Sequence, residues 1–148
     1  MLPFSVTLTS GESPFRQIVY AATKAVVSGE LPEGSPFPSV HELSQALKIN
    51  PNTAHKVVAE LTRTGILDVM PGLGTVVARR RKASVAERRD LLSREVEQLV
   101  VEAKRLGLTE LDVLNGVSAR WAELSAPSST PSSAMNTAAV AAPTGRNA

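Results

Sequence analysis

The chain has 148 residues, 43% of them apolar but only 3% aromatic, and a formal net charge of +2. That length holds one domain with an appendage rather than two full domains, and its core must come from Val, Leu, Ile and Ala. Cysteine is absent, which excludes disulfides, thiolate metal sites and cysteine nucleophiles.

Residues 1–12 are short, apolar and turn-rich and read as an N-terminal arm. At Ser13-Pro14 a helix start is expected, with Ser offering a cap oxygen and Pro losing no needed donor at the first helical position. Phe15, Ile18, Val19, Ala22, Ala25 and Val26 then recur at the 3–4 spacing of one helical face. Ser28-Gly29 ends this helix. Three prolines and a glycine between Leu31 and Pro38 demand a loop.

Ser39 and Glu42 stand at the N-cap and N3 spacing of a capping box, opening a short second helix with Leu43, Ala46 and Leu47 inward. Lys48-Ile49 turn the chain into Asn50-Pro51, a second start signal. The third helix runs to about Arg63 with Ala54, Val57, Val58 and Leu61 inward, and Thr64-Gly65 closes it. Two short helices joined this way outline a helix-turn-helix. Ile66 to Val69 and Thr75 to Val77 are β-prone and flank the turn Met70-Pro71-Gly72-Leu73-Gly74, so a hairpin follows. Gly72-Leu73-Gly74 resembles a phosphate-cradling loop only superficially, since no Gly-Lys-Ser/Thr follows it.

Beyond Arg79-Arg80-Arg81-Lys82 another helical pattern begins at Ser84. Val85, Leu92, Leu99 and Leu106 fall seven apart, with Val96 and Ala103 between them, a heptad-like stripe that Arg89 interrupts. Thr109 with Asp112 caps a last helix whose apolar face holds Leu111, Leu114, Val117, Trp121 and Leu124. Two amphipathic helices this short need a further surface to cover them: the rest of the chain, a second copy, or both. From Ala126 onward Ala, Ser, Pro and Thr dominate, and residues 126–148 read as a disordered tail.

The fold expected is mainly α with a small β-hairpin. An N-terminal arm (1–12) precedes a DNA-binding domain (13–82), and a two-helix dimerisation region (83–125) precedes the tail. Charge follows the same division. Residues 13–82 carry nine Lys/Arg against five acids, whereas residues 83–125 carry six against eight. A basic half beside an acidic half suits one part that meets phosphates and one that does not. No apolar run nears the roughly 18 residues needed to span a bilayer, and Met1 to Ser10 lacks the features of a secretion signal. The expected compartment is the cytoplasm, with no membrane partner.

The residues from Ser13 to Ala78 closely resemble the winged helix-turn-helix of GntR-type regulators. The resemblance is carried by Pro14-Phe15-Arg16-Gln17-Ile18, Ser28-Gly29-Glu30-Leu31-Pro32-Glu33-Gly34 and Pro38-Ser39-Val40-His41-Glu42-Leu43. Asn50-Pro51-Asn52-Thr53 and Gly72-Leu73-Gly74-Thr75 complete it. The Asn-Pro-Asn-Thr form followed by only two helices looks like the YtrA-type branch, whose members lack a large effector domain and dimerise through the short helices. Three positions depart from the usual pattern: His41 and His55 stand where the family commonly has basic residues, and Pro51 where it often has Arg. An arginine clamped on guanine contributes about 1–3 kcal/mol of discrimination, so these departures bear on the target sequence more than on DNA binding itself.

The resemblance implies that the third helix enters the major groove with Asn52, Thr53, His55 and Lys56 foremost. Asn52 suits an adenine edge and Lys56 a phosphate. Ser39 and His41 would lie near the backbone, and Gly72, Gly74 and Thr75 would approach the minor groove. Ser39 is equally a helix cap, and the glycines equally serve turn geometry. Arg79 to Lys82 is either a phosphate contact or a solvated linker. Leu92, Val96, Leu99, Leu106, Leu114 and Trp121 are the expected dimer contacts. The implied function is a dimeric repressor or autoregulator on an inverted-repeat operator in double-stranded DNA. The competing reading is a winged-helix protein-interaction module with weakened DNA binding. No nucleophile–base set stands at motif spacing, so an enzyme is not expected, nor a cofactor or metal.

Overall fold

The computed structural model describes residues 1–125, and the expected disorder of the tail lies outside them. Helices α1 (Pro14–Val27), α2 (Val40–Leu47) and α3 (Pro51–Arg63) are followed by strands β1 (Leu67–Met70) and β2 (Gly74–Val77). The chain then continues through α4 (Val85–Asp90), a π-helical turn (Leu91–Glu95), α5 (Val96–Arg105) and α6 (Glu110–Ser125). Three helices and a hairpin in this order form a winged helix-turn-helix, as the sequence pattern predicts.

One core holds the first part together. Ile18, Ala22 and Ala25 of α1 meet Leu43 of α2 and Ala54, Val57 and Leu61 of α3, with Leu67 and Val77 closing it from the hairpin. The aromatic deficit is met by two residues far apart in sequence. Phe4 of the arm is buried and stacks on Phe37, ring centroids 5.7 Å apart at 18°. Leu2, Val6 and Leu8 pack beside them, so the arm belongs to the core.

The helix starts follow local chemistry, with one exception. At Ser39 the capping box is complete: its Oγ accepts from the Glu42 N–H, and Glu42 Oε2 accepts from the Ser39 N–H at 2.8 Å. Asn50 Oδ1 accepts from the Asn52 N–H at 2.8 Å. Ser13 departs from expectation, because its hydroxyl makes no cap bond. The start of α1 is held instead by Pro14 and by Gln17, whose side-chain amide donates to the carbonyls of Thr9 and Glu12. Ala46 is likewise exposed rather than inward. The inward arc of α2 spans Leu43, Ser44 and Leu47, and at about 100° per residue Ala46 turns away from its centre. Ser44 is tolerated inside because its hydroxyl donates to the His41 carbonyl at 2.9 Å.

The proline-rich loop does more than connect. The N–H groups of Gly34 and Phe37 donate to the Val77 and Thr75 carbonyls, and Val77 donates to Ser35, so the loop flanks β2 like a third strand. Pro36 and Pro38 lack N–H groups, which limits this pairing to a single bridge. In the hairpin itself Leu67 pairs with Val77 and Met70 with Gly74.

Arg80 and Arg81 join the two parts of the chain. The Arg80 guanidinium donates to the Val27 carbonyl at 3.0 Å, where α1 has unsatisfied acceptors, and its N–H donates to Glu33. Arg81 holds Glu87 through two hydrogen bonds, and Glu87 completes a second capping box with Ser84. Beyond this point the helices leave much apolar surface bare, including Leu92, Leu106, Leu114 and Trp121. Only Ala103 of α5 is buried.

The heptad stripe is corrected by the π-helical turn. Val96 N–H donates to the Leu91 carbonyl, five residues back rather than four. That extra residue brings Leu91 into line with Val96 and breaks the seven-residue alignment between Val85 and Leu99. Leu106 also falls at the C-cap, outside α5.

Candidate nucleic-acid interface

A recognition surface needs side chains that the fold itself does not consume. On α3 the buried positions Ala54, Val57 and Leu61 occupy one face, and Asn52, His55 and Lys56 are exposed on the other. Thr53 is half-buried and, with Lys56, lines a shallow groove against Pro14 and Phe15. The first turn is thereby presented outward because the Asn50 cap and Pro51 fix its start while three apolar anchors hold the opposite face.

Ser39 and His41 are exposed at the start of α2. Two of the N–H donors that an anion could use there, those of Ser39 and Glu42, are already bonded within the capping box. The Ser39 backbone and hydroxyl bonds hold the Glu42 carboxyl below the ordinary carboxylate range, so a negative charge sits beside His41. This end of α2 therefore offers less to a phosphate than an uncapped helix would.

Further along α3, Arg63 donates to both carboxylate oxygens of Glu60, at 2.6 and 2.8 Å. The pair lowers the Glu60 pKa and raises that of Arg63. Their charges cancel locally, which leaves Lys56 as the cation on the front of the helix. The bonds of Arg80 and Arg81 to Val27, Glu33 and Glu87 answer the question left open for the basic tetrad: these two side chains serve the joint between the parts of the chain.

On the hairpin, Gly72 and Gly74 are exposed with φ of +81° and +83°. A Cβ at either position would meet open space, so backbone conformation rather than crowding calls for glycine. Thr75 is half-buried beside the loop. Sequence reasoning missed the apolar side chains around these glycines: Val69, Met70 and Leu73 are 65%, 44% and 73% exposed. The signal was present as a run of apolar residues in a turn, and it was read as turn geometry alone.

Among the described residues no helix is long and apolar enough to cross a membrane, and no three His, Cys, Asp or Glu side chains gather as a metal site would need.

Comparison with known proteins agrees with this architecture. The family profile described as bacterial regulatory proteins, gntR family, matches residues 15–77. The HTH-type transcriptional regulator YhcF of Bacillus subtilis is 37% identical over 109 residues, covering 73% of this chain and 89% of that protein. The HTH-type transcriptional repressor YtrA of the same organism is 30% identical over 102 residues, covering 68% of this chain and 78% of that protein. Among solved structures, a transcriptional antiterminator from Listeria monocytogenes superimposes with a TM-score of 0.72 at 23% identity, covering 83% of this chain and 92% of that one. YtrA from Sulfolobus acidocaldarius, a GntR-family transcription factor, gives 0.50 at 21% identity, covering 82% of this chain and 99% of that one. These structural likenesses speak to the fold, and the sequence relatives to the lineage. The chain belongs to the GntR family, as a YtrA-like DNA-binding transcription regulator and not an enzyme.

Proposed function

We propose that this regulator is a cytoplasmic homodimer that binds an inverted-repeat operator and represses transcription, its own included. Residues 13–82 form the DNA-binding unit and residues 83–125 the dimerisation unit. In this reading α3 lies in the major groove, with Asn52 on a base edge, Thr53 and His55 beside it and Lys56 on a phosphate. Ser39 and His41 flank the backbone, and the hairpin from Gly72 to Thr75 reaches the neighbouring minor groove.

One observation carries the reading. The outward face of α3 is free of the protein's own packing, while a separate set of helices exposes Leu92, Val96, Leu99, Leu106, Leu114 and Trp121. A lone chain leaving so many large apolar side chains in water is unfavourable, and a second copy covers them at once. The name of the related YtrA repressor from Bacillus subtilis supports the polarity. Gel shift of the full chain on its own promoter region, titrated with salt, tests the proposal. Binding should weaken steeply with salt, with a log–log slope near −0.9 per neutralised phosphate, at half-sites about one helical turn apart. Failure to shift any promoter fragment at low salt would favour the protein-interaction reading that the two histidines motivate.

A further inference from the structure

Most of the molecule's exposed apolar surface lies on α4 to α6, where the proposed dimer accounts for it. The hairpin tip lies apart from that surface. Met70, Pro71 and Leu73 surround a turn closed by the Leu73 N–H bond to the Met70 carbonyl at 3.0 Å. Gly72 and Gly74 on either side of Leu73 both hold positive φ, a conformation that costs other residues strain. The turn therefore projects one bulky side chain from a fixed backbone, 73% exposed. The whole segment from Thr64 to Ala78 contains no Lys or Arg and one acid, Asp68.

A tip of this composition gains little from phosphates, because it has no cation to place on them. It is also too small for a lasting protein interface. Val69, Met70 and Leu73 together offer on the order of a few hundred Å², against about 800 Å² per partner in a stable complex. A narrow groove is a better match. The minor groove is about 6 Å wide, and proteins that enter it use Leu, Met and Pro to part neighbouring base pairs.

We infer that the hairpin tip is an uncharged wedge for the minor groove, with Leu73 as the side chain that enters between base pairs. The inference rests on the DNA-binding reading above and adds a specificity element to it. Selectivity at the tip comes from how easily a step opens, which favours pyrimidine–purine steps over stiff A-tracts, and not from hydrogen bonds. Met70 and Pro71 widen the wedge at its base.

The test uses the full chain and a duplex that it selects from a random-sequence library. 2-Aminopurine is placed at successive positions across the flank that faces the hairpin. Wild-type protein should brighten the probe at one step, reporting unstacking. Leu73→Ala should abolish the brightening and weaken binding about tenfold, with the salt slope unchanged. Leu73→Lys should restore affinity without the brightening and steepen the slope by about 0.9, one more phosphate. Unchanged affinity and probe signal in Leu73→Ala would overturn the wedge while leaving DNA binding intact. A wild-type chain that selects no duplex would overturn both. A change in solution mass of Leu73→Ala without DNA would overturn the wedge too, because the tip would then be a contact between proteins.

Discussion

Diluting the protein while following Trp121 emission gives a direct view of the proposed interface, because this is the only tryptophan in the chain. In a single copy its side chain is 75% exposed, so its emission should resemble that of indole in water. A buried tryptophan covers roughly 150–250 Å². Removing the exposed share from water at about 25 cal/mol per Å² stabilises association by about 3 kcal/mol or more per copy. A two-fold interface contains the residue twice. Lost rotational freedom and imperfect pairing reduce what survives in affinity. Trp121→Ala should still cost at least about 2 kcal/mol, roughly a 30-fold weaker dimer. Emission should shift to shorter wavelength as concentration rises, in step with sedimentation mass. A dimer by sedimentation whose emission stays red at every concentration would refute the placement of Trp121. A chain that stays monomeric at high concentration would refute the proposed role of the trailing helices.

Other expectations follow from the same coordinates. Lys56→Ala should reduce the salt dependence of DNA binding by about 0.9 in slope, equally on every sequence. Asn52→Ala should cost about 1–3 kcal/mol at one base position and little elsewhere, measured by competition between single-base operator variants. Leu61 is fully buried, so Leu61→Ala should lower the unfolding free energy by about 2–5 kcal/mol in a urea titration. The Glu87 carboxyl is held down to about 2 by Arg81 first and by Ser84 next. Its unfolded value is near 4.3, so its contribution to the start of α4 is complete above that value. The contribution fades as pH falls through about 2. An NMR titration of Glu87 should show that low midpoint, and Arg81→Ala should raise it. A midpoint near 4.3 in the intact protein would count against the pairing.

The winged part of the fold was legible because its signals are local. Ser39 with Glu42, Asn50-Pro51 and the two-glycine turn each specify geometry through neighbours a few residues away, and the structure shows the boundaries they imply. What escaped was non-local or non-ideal. Nothing in residues 1–12 announces that Phe4 meets Phe37, since that pairing depends on where α1 and the loop bring the chain. The π-helical turn escaped because counting by sevens assumes a constant helical period. On the candidate site, sequence spacing found the outward residues of α3 but could not show that Glu60 neutralises Arg63 or that Arg80 caps α1. Those side chains were chosen by their tertiary neighbours.

The single added residue between Leu91 and Glu95 gives the lineage an adjustable joint. Removing one amino acid there would return the segment to an ordinary spiral and swing everything beyond it by about 100° around its axis. Both members of a pair would be re-aimed together, and the distance between their reading heads would change while every base-reading side chain stayed as it was. Operator spacing in this lineage can thus drift through loss or gain of one codon far from the contact surface.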